Sequence, residues 1–183
     1  ELCLGHKNNV AVELRGEPPF ELSYDIVETS SNKRSSYSKK DLNTNIHDIE
    51  LPPFKLGGEY ILSLVSVKDA KGCVVSLSEA DAKINVRRDI PTVAFASTDR
   101  EQNIFIKEGG TAKVPIKLGG IAPFKINYEQ IDHEGNTIKT FKEMFSSNSD
   151  FALSIQEAGL YKLTGVKDKT CEGKVEDKLA SVA

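Results

Sequence analysis

Val10-Ala-Val-Glu-Leu-Arg-Gly-Glu-Pro-Pro-Phe-Glu-Leu-Ser-Tyr24 returns 104 positions later as Val114-Pro-Ile-Lys-Leu-Gly-Gly-Ile-Ala-Pro-Phe-Lys-Ile-Asn-Tyr128. Both copies alternate apolar and polar residues, turn at Gly and Pro, and alternate again through Phe, Leu or Ile, and Tyr. A second phrase repeats 101 positions apart, Gly58-Glu-Tyr60-Ile-Leu62-Ser-Leu-Val65 and Gly159-Leu-Tyr161-Lys-Leu163-Thr-Gly-Val166. Each phrase runs on into Lys-Asp and then a Cys near a Gly. A period of this length makes each copy a folding unit of roughly 100 residues. The reading is a tandem array.

Strict alternation is the signature of half-buried strands, and Val, Ile, Phe, Tyr and Thr fill the alternating segments. Gly, Pro, Asn and Ser clusters punctuate them, and no segment holds a helical apolar period for three turns. In the first copy strands are expected at Val10–Leu14, Phe20–Val27, Ile46–Leu51, Tyr60–Lys68, Cys73–Val75 and Ala82–Val86. In the second they are expected at Ile104–Ile106, Thr111–Leu118, Phe124–Ile131, Thr137–Phe141, Phe151–Ile155, Tyr161–Lys167 and Lys174–Val182. Short antiparallel strands at this spacing define an all-β chain of two tandem immunoglobulin-like β-sandwich domains. Gly58-Glu-Tyr60 and Gly159-Leu-Tyr161 stand where a tyrosine corner belongs, with a buried ring and a hydroxyl bonded back to nearby backbone. Leu62 and Leu163 occupy the position of the usual inter-sheet Cys, and the chain has no Trp. Aliphatic packing must therefore replace the central disulfide.

The expected domains are residues 1–90 and 91–183, with the junction at Arg87-Arg-Asp-Ile-Pro91. Pro91 holds its predecessor extended and removes a ladder donor, as suits a short, stiff, rod-like connection. Aligning Gly5 with Gly109 sets the counterpart of Pro91–Phe95 ahead of Glu1, so the first strand of the first copy is expected to be truncated.

Charge is balanced, with 24 basic against 27 acidic residues and a net charge of -3, which gives no overall pull toward nucleic acid or anionic lipid. The apolar runs are too short to span a bilayer as a helix. The chain starts at Glu, and is expected to be an excerpt of a longer protein. Among the candidate chemical residues, His6, His47 and His133 are isolated in polar turns, and a solvated loop position is the expectation for each. Lys107-Glu-Gly-Gly-Thr111 lacks the Gly-Lys-Ser/Thr and the following helix of a phosphate loop. Ser97-Thr-Asp99-Arg-Glu101 resembles an Asp-Arg-Glu calcium site, but two arginines at the junction oppose a cation that needs six to eight oxygens. No catalytic, cofactor-binding or metal site is expected, and no enzyme. Ser30-Ser-Asn-Lys-Arg-Ser-Ser-Tyr-Ser-Lys-Lys40 reads as a basic, solvated loop specific to the first copy, with a grip on phosphates or an acidic partner as the sharper alternative. None of the ten Asn sits in an Asn-x-Ser/Thr sequon, which leans mildly away from a secretory-side location.

Cys3, Cys73 and Cys171 show no metal-ligand spacing. Cys3 lies in the first strand and Cys73 leads into a late edge strand, and those strands neighbour each other in an immunoglobulin-like sandwich. Lys107 stands opposite Cys3 in the second copy, which leaves Cys171 without a counterpart. A Cys3–Cys73 disulfide is the expectation, with two inert thiols as the alternative.

The ordered set Gly16-x-Pro-Pro-Phe-x-Leu-x-Tyr24, Gly58-x-Tyr-x-Leu-x-x-Val65 and Asp69-x-x-Gly-Cys73 resembles the lumenal repeats of the large fungal pore-membrane nucleoporin. The second copy is looser, with Ala122-Pro-Phe124 for Pro-Pro-Phe. The resemblance implies a structural scaffold of the nuclear pore complex, placed in the perinuclear lumen of the nuclear envelope. It further implies self-association into a ring around the pore. The implied partners are other copies of the same protein and other pore-membrane nucleoporins, with membrane contact only through a segment outside these residues. A cell-surface adhesin module and an accessory domain of a secreted enzyme are the alternative classes.

Overall fold

Phe124-Lys-Ile-Asn-Tyr-Glu-Gln-Ile131 alternates in sequence and alternates in space. Phe124, Ile126 and Tyr128 are buried while Lys125 is exposed. A strand whose side chains point to opposite faces must bury one row against a second sheet, and that requirement builds both halves of this molecule. The computed structural model describes residues 1–78, 80–96, 104–176 and 179–183. They divide into two compact units, Glu1–Arg88 and Asp89–Ala183.

The first unit contains β1 (Asn8–Glu13), β2 (Phe20–Glu28), β3 (Lys33–Leu42), β4 (Ile46–Leu51), β5 (Gly58–Lys68), β6 (Val74–Ser76) and β7 (Asp81–Val86). One sheet runs β3-β2-β5-β6, with β7 also on β5, and the facing sheet is the pair β1-β4. Phe20, Leu22, Tyr24 and Ile26 from β2 meet Ile49 and Leu51 from β4 and Leu62 from β5 in its core.

The second unit contains β8 (Thr92–Phe95), β9 (Ala112–Gly119), β10 (Phe124–Ile131), β11 (Thr137–Phe145) and β12 (Ala152–Ile155). It ends with β13 (Gly159–Lys167), β14 (Lys174–Val175) and β15 (Leu179–Val182). Its sheets run β11-β10-β13-β15 and β12-β9-β8-β14. Val93, Val114, Ile126, Leu153 and Leu163, all at 2% exposure or less, form the centre of its core. Leu62 and Leu163 lie in the two cores, as aliphatic packing in place of a disulfide requires.

Three sequence expectations change here, the first being the strand expected at Ile104–Ile106, which is only a single bridge from Ile104 to Val182. The basic stretch 30–40 is not a loose loop. Residues 30–32 make the turn, and β3 then pairs with β2 in register from Glu28↔Lys33 to Phe20↔Leu42. Ser-Ser-Tyr-Ser carries little apolar signal, but Tyr37 stacks on Tyr24 at 5.4 Å and fixes the inward row. The expected strand 174–182 splits into β14 and β15, because Lys174 and Glu176 donate backbone hydrogen bonds to Pro91 and Val93 in one sheet. Leu179–Val182 then pairs with β13 in the other.

Candidate association surface

The repeated phrases resolve into one corner, built twice. Gly16 and Gly120 both sit at positive φ, +133° and +128°, where a side chain is strained. A Cβ at either would lie 3.2 Å from the Cε1 of Phe20 or Phe124, and at Gly120 it would also lie 2.9 Å from Asp168 Oδ2. The Phe rings are buried beneath these glycines, and the Pro18-Pro19 and Ala122-Pro123 peptides are cis. Gly-x-x-Pro-Phe is thus a packing device that aims the next strand into the core.

The Lys-Asp at the end of β5 and β13 is a turn clamp. Asp69 Oδ1 accepts the N–H of Lys71 and of Cys73, at 3.0 Å each. Asp168 Oδ1 accepts those of Thr170 and Cys171 at 2.9 and 2.8 Å, and its Oδ2 accepts Ile121 N–H at 3.0 Å. The tyrosine corners take the expected form. Tyr60 Oη donates to Leu56 O and Tyr161 Oη to Glu157 O, both at 2.8 Å. Tyr161 is 1% exposed; Tyr60, expected to be as deeply buried, is only half-buried and leans on Phe54 at 4.5 Å. Burial raises the pKa of both phenols, with Glu157 adding to the effect at Tyr161 and Glu28 at Tyr60.

The Cys3–Cys73 pairing is corrected. Cys73 is an exposed free thiol, while Cys171, expected to be the odd thiol, is not free, nor is Cys3. The register explains why the proposed pair cannot close. Leu2 bridges Val86 in parallel, and Val86 faces Gly58 at the start of β5. Val74, next to Cys73, faces Lys68 at the other end of the same strand. Ten residue steps separate those ends, roughly 33 Å at about 3.3 Å per residue, against about 4.4–6.8 Å between the Cα atoms of a disulfide. The edge segments are neighbours, but their parallel direction puts the two cysteines at opposite ends.

Of the histidines, His6 and His133 occupy turns as expected, whereas His47 lies in β4 opposite Val12. Lys107 O accepts Gly110 N–H at 2.8 Å, which makes 107–110 an ordinary turn. The Asp-Arg-Glu stretch 97–101 lies outside the described residues. Among the described residues, no three His, Cys, Asp or Glu are grouped to hold a metal ion, and no helix is long and apolar enough to cross a membrane. A cleft of about 300 Å³ in the second unit is floored by Tyr128, Phe141 and Tyr161. Its rim charges serve the protein itself. Lys139 Nζ lies 3.0 Å from Glu157, and Glu143 Oε1 accepts the N–H of Ser154 at 3.1 Å.

What remains for recognition is the edges of the sheets. Among the described residues β3 and β11 each hydrogen-bond to a single neighbouring strand, so one side of each has its backbone groups available. Their chemistry differs. β3 carries Lys33, Arg34, Lys39 and Lys40, the charges that discourage edge-to-edge pairing. β11 carries fewer, Lys139 and Lys142, and exposes Ile138 and Met144 beside them, at 62% and 73%. The basic residues of β3 stand out in the sequence as a loop and not as a sheet edge, and the expected strand Thr137–Phe141 includes Ile138 but stops short of Met144.

Two consecutive sandwiches with tyrosine corners, clamped turns and aliphatic centres define a tandem immunoglobulin-like repeat protein. Family models sharpen that class. Residues 1–90 match the immunoglobulin-like domain of pom152-like nucleoporins, and residues 90–180 match the Ig-like domain of nucleoporin POM152. The chain belongs to this nucleoporin family, whose Ig-like domains are structural modules and not enzymes. It is 45% identical to nucleoporin POM152 of Saccharomyces cerevisiae and 32% identical to nucleoporin pom152 of Schizosaccharomyces pombe, in each case over 96% of its length. It spans only 13% and 14% of those two relatives. Among solved structures, the fibronectin(III)-like modules of Clostridium thermocellum CbhA are similar at 12% identity and a TM-score of 0.42. That match covers 99% of this chain and 85% of theirs.

Proposed function

We propose that this chain is a piece of a nuclear pore scaffold, a pair of immunoglobulin-like repeats in the perinuclear lumen that extend an array and associate with other copies of it around the pore. The observation that carries the reading is the tandem match: both units, one directly after the other, fit Ig-like domains of the same nucleoporin family. The chemistry fits a contact role. Shared devices such as Gly16/Gly120 and Asp69/Asp168 are spent inside the units on corners and turns. Exposed edges are left as contact surface, and the β11 edge with Ile138 and Met144 is the less defended of the two described. Other pore-membrane nucleoporins are the further partners in this reading, and a membrane segment would lie outside these residues.

One edge contact is weak alone, and a row of repeats gains strength through effective concentration. The test is analytical sedimentation of this chain beside the full-length repeat array. The 183-residue chain should be mainly monomeric at micromolar concentration, while the array should associate. An Ile138→Lys, Met144→Lys array should associate more weakly. A full array that stays monomeric under crowded conditions refutes the self-association.

A further inference from the structure

We propose that β11 pairs antiparallel with β11 of a second copy of this chain, about a two-fold axis at Phe141, so that Lys139 of each copy meets Glu143 of the other. The inference rests on the self-association proposed above and names the strand and the register that carry it. β11 is self-complementary in that one register. Its ladder with β10 is regular from Lys139 to Phe145. Two antiparallel copies centred on Phe141 set Lys139 opposite Glu143, Thr140 opposite Lys142 and Phe141 opposite itself. The same register carries Ile138, 62% exposed, to the side of Met144, 73% exposed. Opposite charges and apolar pairs directly across from one another stabilise a sheet, and like charges oppose it. Neighbouring registers fail that test. Centring on Lys142 places two ammonium groups face to face and Glu143 opposite Phe141. Centring on Thr140 sets Lys142 against Ile138 and leaves Glu143 opposite Thr137. The lysines that discourage edge pairing at large thus exclude the wrong registers and admit one.

A second observation points to the same residue. Glu143 stands in the inward row of β11 with Phe141 and Phe145. Its Oε1 accepts the Ser154 N–H of β12, but Oε2 is buried with no hydrogen-bond partner. A buried carboxylate oxygen left unpaired is costly, and a cation brought to it offsets that cost. The cleft that Glu143 lines lies between β11 and β12, the end strands of their two sheets among the described residues. Its floor of Tyr128, Phe141 and Tyr161 offers aromatic faces to an ammonium group. Lys139 already leans that way, with Nζ 5.7 Å from the Phe141 ring centroid. Its present ion pair with Glu157 joins two side chains that are each more than half exposed, and such a pair holds little. Lys139 can therefore exchange Glu157 for the buried oxygen of a second copy.

The first unit shows the contrast. Tyr24 faces Tyr37 as Tyr128 faces Phe141, so Tyr37 is the counterpart of the residue on the axis. The same register on β3 opposes Arg34 to Lys40, two like charges, and gives Lys39 only Ser35. Asp41, the acid that would answer Lys33, lies past the irregularity at Phe20/Leu22. The edge that fits a second copy of itself is β11.

The test reads the register directly. In a Cys73→Ser background, which removes the exposed free thiol, Thr140→Cys and Lys142→Cys versions of the 183-residue chain are oxidised at high concentration, each alone and then mixed. Directly opposite Cα atoms of an antiparallel pair lie about 4.5–5.5 Å apart, within reach of a disulfide. The mixture should cross-link at least tenfold faster than either chain alone, because Thr140 meets Lys142 only when Phe141 is on the axis. Adding Lys139→Glu to both chains sets carboxylate against carboxylate and should slow the mixed cross-link at least fivefold. A mixture that gains nothing over the single chains, or a Lys139→Glu mixture that cross-links as fast, overturns the proposal. Sedimentation of the repeat array is a separate readout. An array that associates without the mixed cross-link keeps the self-association and loses this register, whereas a monomeric array without it loses both.

Discussion

Truncating Tyr161 to Ala tests the corner on which the second unit is built. Tyr161 is 1% exposed, packs beside Tyr128 and Phe141 with ring centroids at 6.3 and 6.2 Å, and donates its hydroxyl to Glu157 O at 2.8 Å. Removing a buried aromatic ring costs about 3–5 kcal/mol, of which the hydroxyl hydrogen bond accounts for about 1 kcal/mol. In a unit of this size each kcal/mol shifts the midpoint by roughly 4–8 °C. The Tyr161→Ala chain should therefore lose on the order of 20 °C in its second unit, and Tyr161→Phe only roughly 4–8 °C, since the ring stays. Thermal melts followed by NMR signals of Val93 and Leu163 report that unit specifically. Tyr60→Ala, removing a half-buried ring, should cost the first unit clearly less. If Tyr161→Ala and Tyr161→Phe melt alike, the ring is not what anchors the corner and the argument fails.

Gly120→Ala puts a Cβ 2.9 Å from Asp168 Oδ2 at φ +128°, whereas Gly109→Ala meets nothing within 4 Å at φ +72°. Urea unfolding should show the first costing about 1–3 kcal/mol more than the second, and equal losses would show that the corner is not crowded. Native labelling with a thiol reagent should modify Cys73, and a Cys73→Ser chain should lose that labelling; a chain that keeps it would place the free thiol elsewhere. Burial, reinforced by Glu143 and Tyr161, raises the Tyr128 pKa from 10.0 to about 12. A phenol that titrates later in the folded chain stabilises it fully below about pH 10 and loses that contribution as pH rises toward about 12. Phenolate absorbance of the folded chain against Tyr128→Phe should show this late titration, and its absence from the difference would refute the burial argument.

The sequence was most legible where a residue type has one physical use. Gly-x-x-Pro-Phe, Gly-x-Tyr and Lys-Asp each name a corner, a hydroxyl bond or a turn clamp, and each appears at the matching place in both copies, so chance agreement is small. The strands whose inward row is strongly apolar, β2, β5, β10 and β13, were visible by alternation alone. β3 was not, because an edge strand half in solvent needs only Tyr37 and Leu42 to hold its register, and its charges look like a loop's. The cysteine pairing failed for another reason. Adjacency of strands can be read from topology, but two residues meet only if the strands' direction and register bring them level, and neither is written in the spacing of three cysteines.

The difference between the copies is more informative about function than their likeness. What they share lies inside: Phe20 with Phe124, Leu62 with Leu163, Asp69 with Asp168. Those residues make each unit fold, and they would be needed whatever the array contacts. What they do not share lies on the equivalent edges, four basic residues on β3 against two lysines, Lys139 and Lys142, with exposed Ile138 and Met144 on β11. Edge chemistry of this kind decides whether a sheet repels or accepts another strand. If the array associates as proposed, edges that differ in this way would leave β11 as the contact and β3 closed. Uniformly sticky edges would pair indiscriminately and aggregate; uniformly basic ones would not pair at all.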